Sequence, residues 1–406
     1  MSVPRPPLLF YSAWGLGNHN PEAERKAVAL QQDWDVTYVH GVGLRNPGLH
    51  SAGKAAAGVV SRVRGSRFRG LRPNVSAELP APVGVLASAS LLVLPPRQLA
   101  ALRRLNASWL TRQLHRVDGD WSAGVLWVRW PTPELVDAVE RLRPAGVVYE
   151  AVDAYHLTPG VVGRWAPIHH TAERRLVALA DVVVAPSAPL AGFLEQQGAA
   201  NVRLLAHGVD LFDWRGPRDA RSRRESPVVG FVGTIDYRID IELLRYVATA
   251  RPHWRLRLIG PVQEGFDPAK LADLENIGVE PAIAHAALGD VLAGFDVGIM
   301  PYRDDPACRY LSPVKNLEYM AAGRPAVARP IGALRGNDDL VRFGGTPHEF
   351  LEQLELALEG DDLQLARRRR AVAEANSWDR RMEDVREIAR EAAGCAVRPP
   401  LAHGRA

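Results

Sequence analysis

The sequence predicts an α/β protein made of two doubly wound, parallel-sheet domains. Three observations predict it. The chain opens as strand, glycine loop, helix, strand: residues 8–14 are apolar, Gly15 and Gly17 break them, 21–32 has a helical pattern and 36–40 is apolar again. The same succession restarts at 228–232, after a charged stretch over 213–227 that contains Gly216 and Pro217 and no apolar period. A chain of 406 residues also exceeds what one core organises.

In the N-terminal half, strands are expected at 8–14, 36–40, 91–94, 125–130, 146–152, 181–185 and 202–205, apolar runs that end at Gly, Pro, Asp or Ser. Helices fill the intervals at 21–32, 98–116, 133–143, 172–180 and 187–197, with Pro133 and Ser187 marking two of the starts. Residues 41–72 form a long irregular basic stretch, which in a compact domain is functional or disordered. The first glycine loop carries Gly17, His19 and Asn20; its Gly-x-Gly does not complete a dinucleotide fingerprint, and a turn or cap role stands beside a ligand role. Asp118-Gly119-Asp120 reads as a polar turn, and His169-His170 as structural residues at a helix start. The run 147–152 releases Asp153 and then His156. Ligand sites of open α/β sheets lie outside the carboxyl ends of strands. Asp153 is therefore a candidate base for a hydroxyl, with His156 as substitute or orienter; the alternative is that Asp153 caps the next turn.

In the C-terminal half, strands are expected at 228–232, 255–260, 296–301, 326–328 and 341–343, and helices at 240–250, 268–276, 287–294, 347–359 and 361–375. A last helix spans 376–393 and a disordered tail 394–406. The domains are thus 1–212 and 228–375, joined by the linker 213–227. Gly208 is expected at positive φ, in a turn stabilised by Asp210.

Composition is that of an ordinary globular protein, 47% hydrophobic and 24% charged. Two cysteines give neither a disulfide framework nor a metal-ligand spacing, so a cytoplasmic location is expected. No charged region precedes a long apolar run at the N-terminus, so no signal peptide is expected. The longest uncharged run, 79–96, is broken by prolines, a glycine and serines, and is a poor membrane span. The net charge of +4 hides an asymmetry: residues 41–116 carry 12 Lys/Arg against Glu78 alone. Such a segment suits an anionic partner, and peripheral contact at the inner face of a membrane is one reading. Phe68 is the one aromatic in its arginine-rich stretch at 62–72 and no nucleic-acid motif is present, so nucleic acid is not expected as a partner.

The most informative stretch is 310–328, YLSPVKNLEYMAAGRPAVA. Ser312 is expected as N-cap and Pro313 as first residue of a helix whose apolar stripe is Leu317, Met320 and Ala321; Gly323 and Pro325 end it. Lys315 falls in the first turn, where a cation is disfavoured by roughly 0.3–1 kcal/mol. It is either a solvated lysine or a phosphate contact. Glu318 lies one turn on, as an ion-pair partner or a ligand for ribose hydroxyls.

This segment resembles the donor-binding motif of the GT-B glycosyltransferases, in which a carboxylate precedes a small-small-Gly-x-Pro-Val turn. The turn "x-Gly-Val-Asp" at 207–210 and the Ser-Trp start of the last helix at 377–378 resemble the same group. The resemblance implies the GT-B fold, two Rossmann-like domains with the terminal helix crossing back and Trp378 packing at the hinge. It implies a nucleotide-sugar-dependent transferase acting on a sugar, lipid-linked or small-molecule acceptor, with the sugar nucleotide as co-substrate and neither cofactor nor metal. On it, Gly233, Thr234, Arg238, Tyr310, Ser312, Lys315 and Glu318 bind the donor, Asp153 and His156 are catalytic, and Gly17, His19 and Asn20 line a cleft. Arg238 also has Asp236 and Asp240 as surface partners. The chain departs from the commoner pattern at Tyr310, where related enzymes carry a first glutamate; Tyr310, Asp304 or Asp305 are the substitutes on hand. An epimerase on the same fold and a non-catalytic nucleotide-sugar-binding protein are the alternatives.

Overall fold

The structure is a computed structural model and describes residues 5–12, 22–40, 87–90, 100–117, 123–157, 166–212, 225–334 and 339–394. Expectations for Gly17, His19 and Asn20, the basic loop 41–72, the strand at 91–94, the turn 118–120, most of the linker and the tail from 395 lie outside the described residues. The chain divides into two compact units, residues 1–205 with 382–406, and residues 206–381. The cuts fall at 205/206 and inside the last helix, upstream of 212 and downstream of 376. Residues 206–212 therefore belong with the C-terminal unit.

The N-terminal unit is a seven-stranded parallel sheet of β1 (Pro7–Ser12), β2 (Asp35–His40), β3 (Ala87–Ser90), β4 (Val125–Val128), β5 (Gly146–Glu150), β6 (Val182–Ala185) and β7 (Val202–Leu204). Their order is β3-β2-β1-β4-β5-β6-β7. Its helices are α1 (Glu22–Leu30), α2 (Ala100–Val117), α3 (Pro133–Leu142), α4 (Ala166–Leu179) and α5 (Ala188–Gln196). β1, β4, β5 and β6 are buried along nearly their whole length, as central strands of a sheet covered on both sides require. Phe10 stacks between Tyr38 and Trp127, 5.6 and 5.8 Å away, where the strand order reverses at β1 and β4. β3, which pairs Thr37 with Ala87, is a strand the sequence reading did not expect. α4 starts at Ala166 rather than 172, so His169 and His170 lie within it.

The C-terminal unit has a six-stranded parallel sheet of β8 (Val228–Val232), β9 (Arg255–Ile259), β10 (Ile277–Glu280), β11 (Val297–Met300), β12 (Ala326–Ala328) and β13 (Val341–Phe343). The order is β10-β9-β8-β11-β12-β13, which reverses between β8 and β11. Helices α6 (Ile241–Ala250), α7 (Leu288–Ala293), α8 (Lys315–Ala321), α9 (Pro347–Glu359) and α10 (Leu363–Ala375) pack around it, and α11 (Trp378–Gly394) follows. The expected helix at 268–276 shrinks to a single 3-10 turn, Pro268–Leu271, and Ile277–Glu280 forms an edge strand that went unpredicted. Gly208 is not at positive φ. A Cβ there would collide with the Trp378 ring, and Val209 exchanges backbone hydrogen bonds with Asn376 (3.0 Å) and Trp378 (3.2 Å). Trp378 thus packs on the 208–210 turn, while Asp210 receives a 2.7 Å contact from His285.

α11 buries Val385, Ile388, Ala389 and Ala392 in the core of the N-terminal unit. Among the described residues, no helix is long and apolar enough to cross a membrane.

Candidate active site

The C-terminal edge of the second sheet gathers most of the predicted donor residues. β8 is followed by Gly233, φ +146°, and β9 by Gly260, φ +152°, backbone regions open to glycine alone at little cost. The two loops are laced together: Gly233 N donates to Ile259 O (2.9 Å), Ile235 N to Pro261 O (3.0 Å) and Gln263 N to Ile235 O (2.9 Å). The Lys315 side chain lies across Gly233. A Cβ on that glycine would collide with it near Cε and stand 3.0 Å from Nζ. Tertiary structure therefore brings Gly233, with the half-buried Thr234 beside it, against Lys315. The lysine is half-buried and joins no ion pair among the described residues, Glu318 included.

α8 is held by Tyr319, whose hydroxyl donates to Ile299 O (3.0 Å). The ring packs closely on β11 because Gly298 lies beneath it, where a Cβ would stand 2.6 Å away. The buried stripe is thus Asn316, Tyr319, Met320 and Ala321, with Leu317 only half-buried. Ser312 is not the N-cap. Val314 takes that place without a side-chain cap, because helical bonding begins only where Pro313 O accepts from Asn316 N (3.2 Å) and Val314 O from Glu318 N (3.0 Å).

Arg238 is half-buried and pairs with Asp236. Its guanidinium forks onto Asp236, with Nε 2.9 and 3.1 Å and Nη2 2.7 Å from the carboxylate oxygens. Its loop is tied to the end of β11, since Asp240 N donates to Pro301 O and Arg303 N to Arg238 O, both at 2.8 Å. Much of the Arg238 charge is neutralised locally. Tyr310 is half-buried at the end of a 3-10 turn, Cys308–Tyr310. Of the two aspartates near it, Asp305 accepts from Ala307 N (2.8 Å) to build the turn, and Asp304 is exposed.

At the C-terminal edge of the first sheet, Asp153 follows β5 and is half-buried. The next residue but one, Tyr155, donates to Arg129 O (2.8 Å), which fixes the turn. Burial pushes the Tyr155 hydroxyl pKa well up, and the Asp153 carboxylate adds to the rise. His156 keeps different company. Its ring stacks on Phe193 (4.7 Å) and His170 (5.2 Å), and its Nδ1 faces Glu173 Oε2 at 3.8 Å. Neither of those two atoms has a hydrogen-bond partner, although both are buried. Glu173 accepts from the Tyr149 hydroxyl (2.6 Å), and burial pushes its carboxyl up to about 7. Burial, then His170, lowers the His156 pKa.

The sequence reading missed a buried charge network beside this edge. Glu150, at the end of β5, accepts from Lys26 Nζ (2.8 Å) and from Trp127 Nε1 (2.7 Å), and Arg129 Nε approaches to 3.2 Å. Lys26 also donates to Glu22 (2.5 Å). Burial would raise the Glu150 pKa, but Arg129 and Lys26 outweigh it and hold the carboxyl below the usual range. A signal was present: Glu150 and Arg129 interrupt otherwise apolar runs, where an ionised group needs a partner. Among the described residues, no three of His, Cys, Asp and Glu gather in a set that could hold a metal ion.

Comparison with known proteins bears on the fold. Residues 226–360 match the family described as Glycosyl transferases group 1. A putative teichuronic acid biosynthesis glycosyltransferase, TuaH of Bacillus subtilis (strain 168), is 25% identical over 224 residues, 52% of this chain and 56% of that one. The chain thus matches little more than half the length of that curated relative. Among solved structures, Anabaena HepE in complex with UDP-glucose superposes with a TM-score of 0.63 at 15% identity, over 94% of this chain and 98% of that one. A structure titled trehalose-6-phosphate from E. coli, bound with UDP-2-fluoro glucose, reaches 0.64 at 13% identity over 94% and 99%. The chain therefore has the GT-B fold, and its residues 226–360 match the family described as Glycosyl transferases group 1.

Proposed function

We propose that this chain is a nucleotide-sugar-dependent glycosyltransferase, moving a sugar from a nucleotide-diphosphate donor to an acceptor hydroxyl. The observation that carries the reading is Lys315 lying across Gly233 at the reversal of the second sheet, inside the segment that matches the family. Departure of a nucleoside diphosphate concentrates negative charge on its oxygens, and a lysine outside any ion pair stabilises that charge where it develops. Glu318, one turn on, is assigned to the ribose hydroxyls, and Asp153 to the acceptor hydroxyl as general base. The sugar nucleotides bound in similar structures, UDP-glucose and UDP-2-fluoro glucose, make uridine diphosphate sugars the first donors to test. The reading places the chain in the cytoplasm, without a cofactor, and with a sugar, lipid-linked or small-molecule acceptor. It includes peripheral membrane contact through the basic part of the N-terminal half.

Calorimetry with a panel of nucleoside diphosphates and their sugars, with chelator present, tests the donor site. Binding confined to one base is expected, and no binding by folded protein overturns the reading. The Asp153→Asn variant is then expected to keep donor affinity and lose turnover by roughly a hundredfold or more. Near-normal turnover removes Asp153 from the chemistry. Product formed without any acceptor turns the reading to an epimerase.

A further inference from the structure

We propose that the outward face of α2 seats the N-terminal unit on an anionic lipid bilayer, lying on the surface rather than crossing it. This rests on the membrane-contact part of the reading above and is independent of the transfer step. α2 has 18 residues and no acid among them. Its buried arc is Asn106, Ala107, Leu110 and Leu114, each fully covered. At about 100° per residue, Arg104, Leu105, Ser108, Trp109, Arg112 and His115 fall within an arc of about 140° on the other side.

That arc has the composition of an interfacial helix. Leu105 is 52% exposed and Trp109 39%, side by side at one edge. Arg104 and Arg112 are exposed and join no ion pair among the described residues, whereas Arg103, turned towards α3, approaches Asp137 at 3.8 Å. Exposed Arg141 of α3 donates to Ser108 Oγ (2.7 Å), adding a further cation beside the face. Cations attract an anionic surface, while an exposed leucine next to a tryptophan gains from the apolar layer beneath the headgroups. A phosphodiester backbone would use the arginines but offers that leucine nothing, which favours lipid over nucleic acid.

Co-sedimentation of the full chain with vesicles tests this, using phosphatidylcholine alone and phosphatidylcholine with phosphatidylglycerol, at low and high salt. Binding to the phosphatidylglycerol vesicles that weakens with salt is expected. The double variant Arg104→Glu, Arg112→Glu should lose roughly tenfold or more in apparent affinity, at about 1 kcal/mol per basic residue at the surface. Trp109→Ala should weaken binding while leaving its salt dependence. Equal sedimentation with both vesicle types overturns the proposal. So does wild-type binding by the double variant, which would move the contact to another basic stretch. Loss of binding to a single-stranded RNA in the double variant, with no vesicle binding by the wild type, would make the face a nucleic-acid surface instead. Donor binding and thermal melting of each variant separate failure of this proposal from failure of the donor site; if the double glutamate variant does not fold, the double glutamine variant replaces it.

Discussion

The C-terminal edges of the two sheets handle charge in opposite ways. At the edge of the first, Glu22, Lys26, Arg129 and Glu150 are buried and ion-paired with one another, with the Trp127 indole donating to Glu150. At the edge of the second, Lys315 lies against a glycine loop and has no ion-pair partner among the described residues. A buried ion pair offsets its own desolvation and has nothing left for a ligand. An unpaired, half-buried lysine has its charge available. The comparison teaches that the density of charge at a strand end is a poor guide to function, and that its pairing is the better one. Arg238 makes the same point within one edge, since its bidentate contact with Asp236 pairs a predicted diphosphate ligand with a carboxylate of its own loop.

The largest way to break the comparison is to unpair the first edge. Glu150→Gln leaves Arg129 and Lys26 buried with one carboxylate fewer, and should cost about 3–5 kcal/mol in denaturant unfolding. A cost under about 1 kcal/mol would mean that the network is solvated in solution. Next comes Glu173. Its folded pKa of about 7 lies above the ordinary 4.5, so its contribution to stability is fully present below about pH 4.5 and is lost as pH rises through about 7. The difference in stability between wild type and Glu173→Gln should therefore fall by a few kcal/mol across that window, and a pH-independent difference would place the carboxyl in water. The same variant should also shift the titration of His156 followed by NMR, as the ring loses a carboxyl that faces it.

Smaller effects sharpen the second edge. Lys315→Ala should weaken diphosphate binding by about 1.5–3 kcal/mol, the range for a hydrogen bond to a charged group. Arg238→Ala should do less, because the guanidinium is already paired; its expected signature is a modest loss of thermal stability from an untied loop. Equal losses of affinity for the two variants would show that Arg238 leaves Asp236 when the donor binds.

Much of the architecture was legible because parallel strands buried on both faces are written as continuous apolar runs, and 228–232, 296–301 and 326–328 are of that kind. Edge strands are not. Ala87–Ser90 is Ala-Ser-Ala-Ser, and Ile277–Glu280 has half-exposed positions, so neither carries a pattern that a local reading separates from loop. Helix starts failed similarly at Ser312, where a good capping side chain lies two residues before the place at which bonding begins. At the site, glycines, Lys315 and Glu318 could be picked from residue type and position. Glu173 could not, since a glutamate in a helical pattern looks solvated until Tyr149 and His156 close over it.

The sequence by itself determined the two-sheet plan, the strand ends from which the site loops spring, and the choice of Lys315 as the residue to watch. These follow from periodicity and chain order, which are local. Tertiary structure alone decided which charges cancel. Lys26 meets Glu150, Arg238 meets Asp236, and Lys315 meets Gly233 through contacts between distant segments, and Coulomb energy depends on those distances and on the water excluded around them.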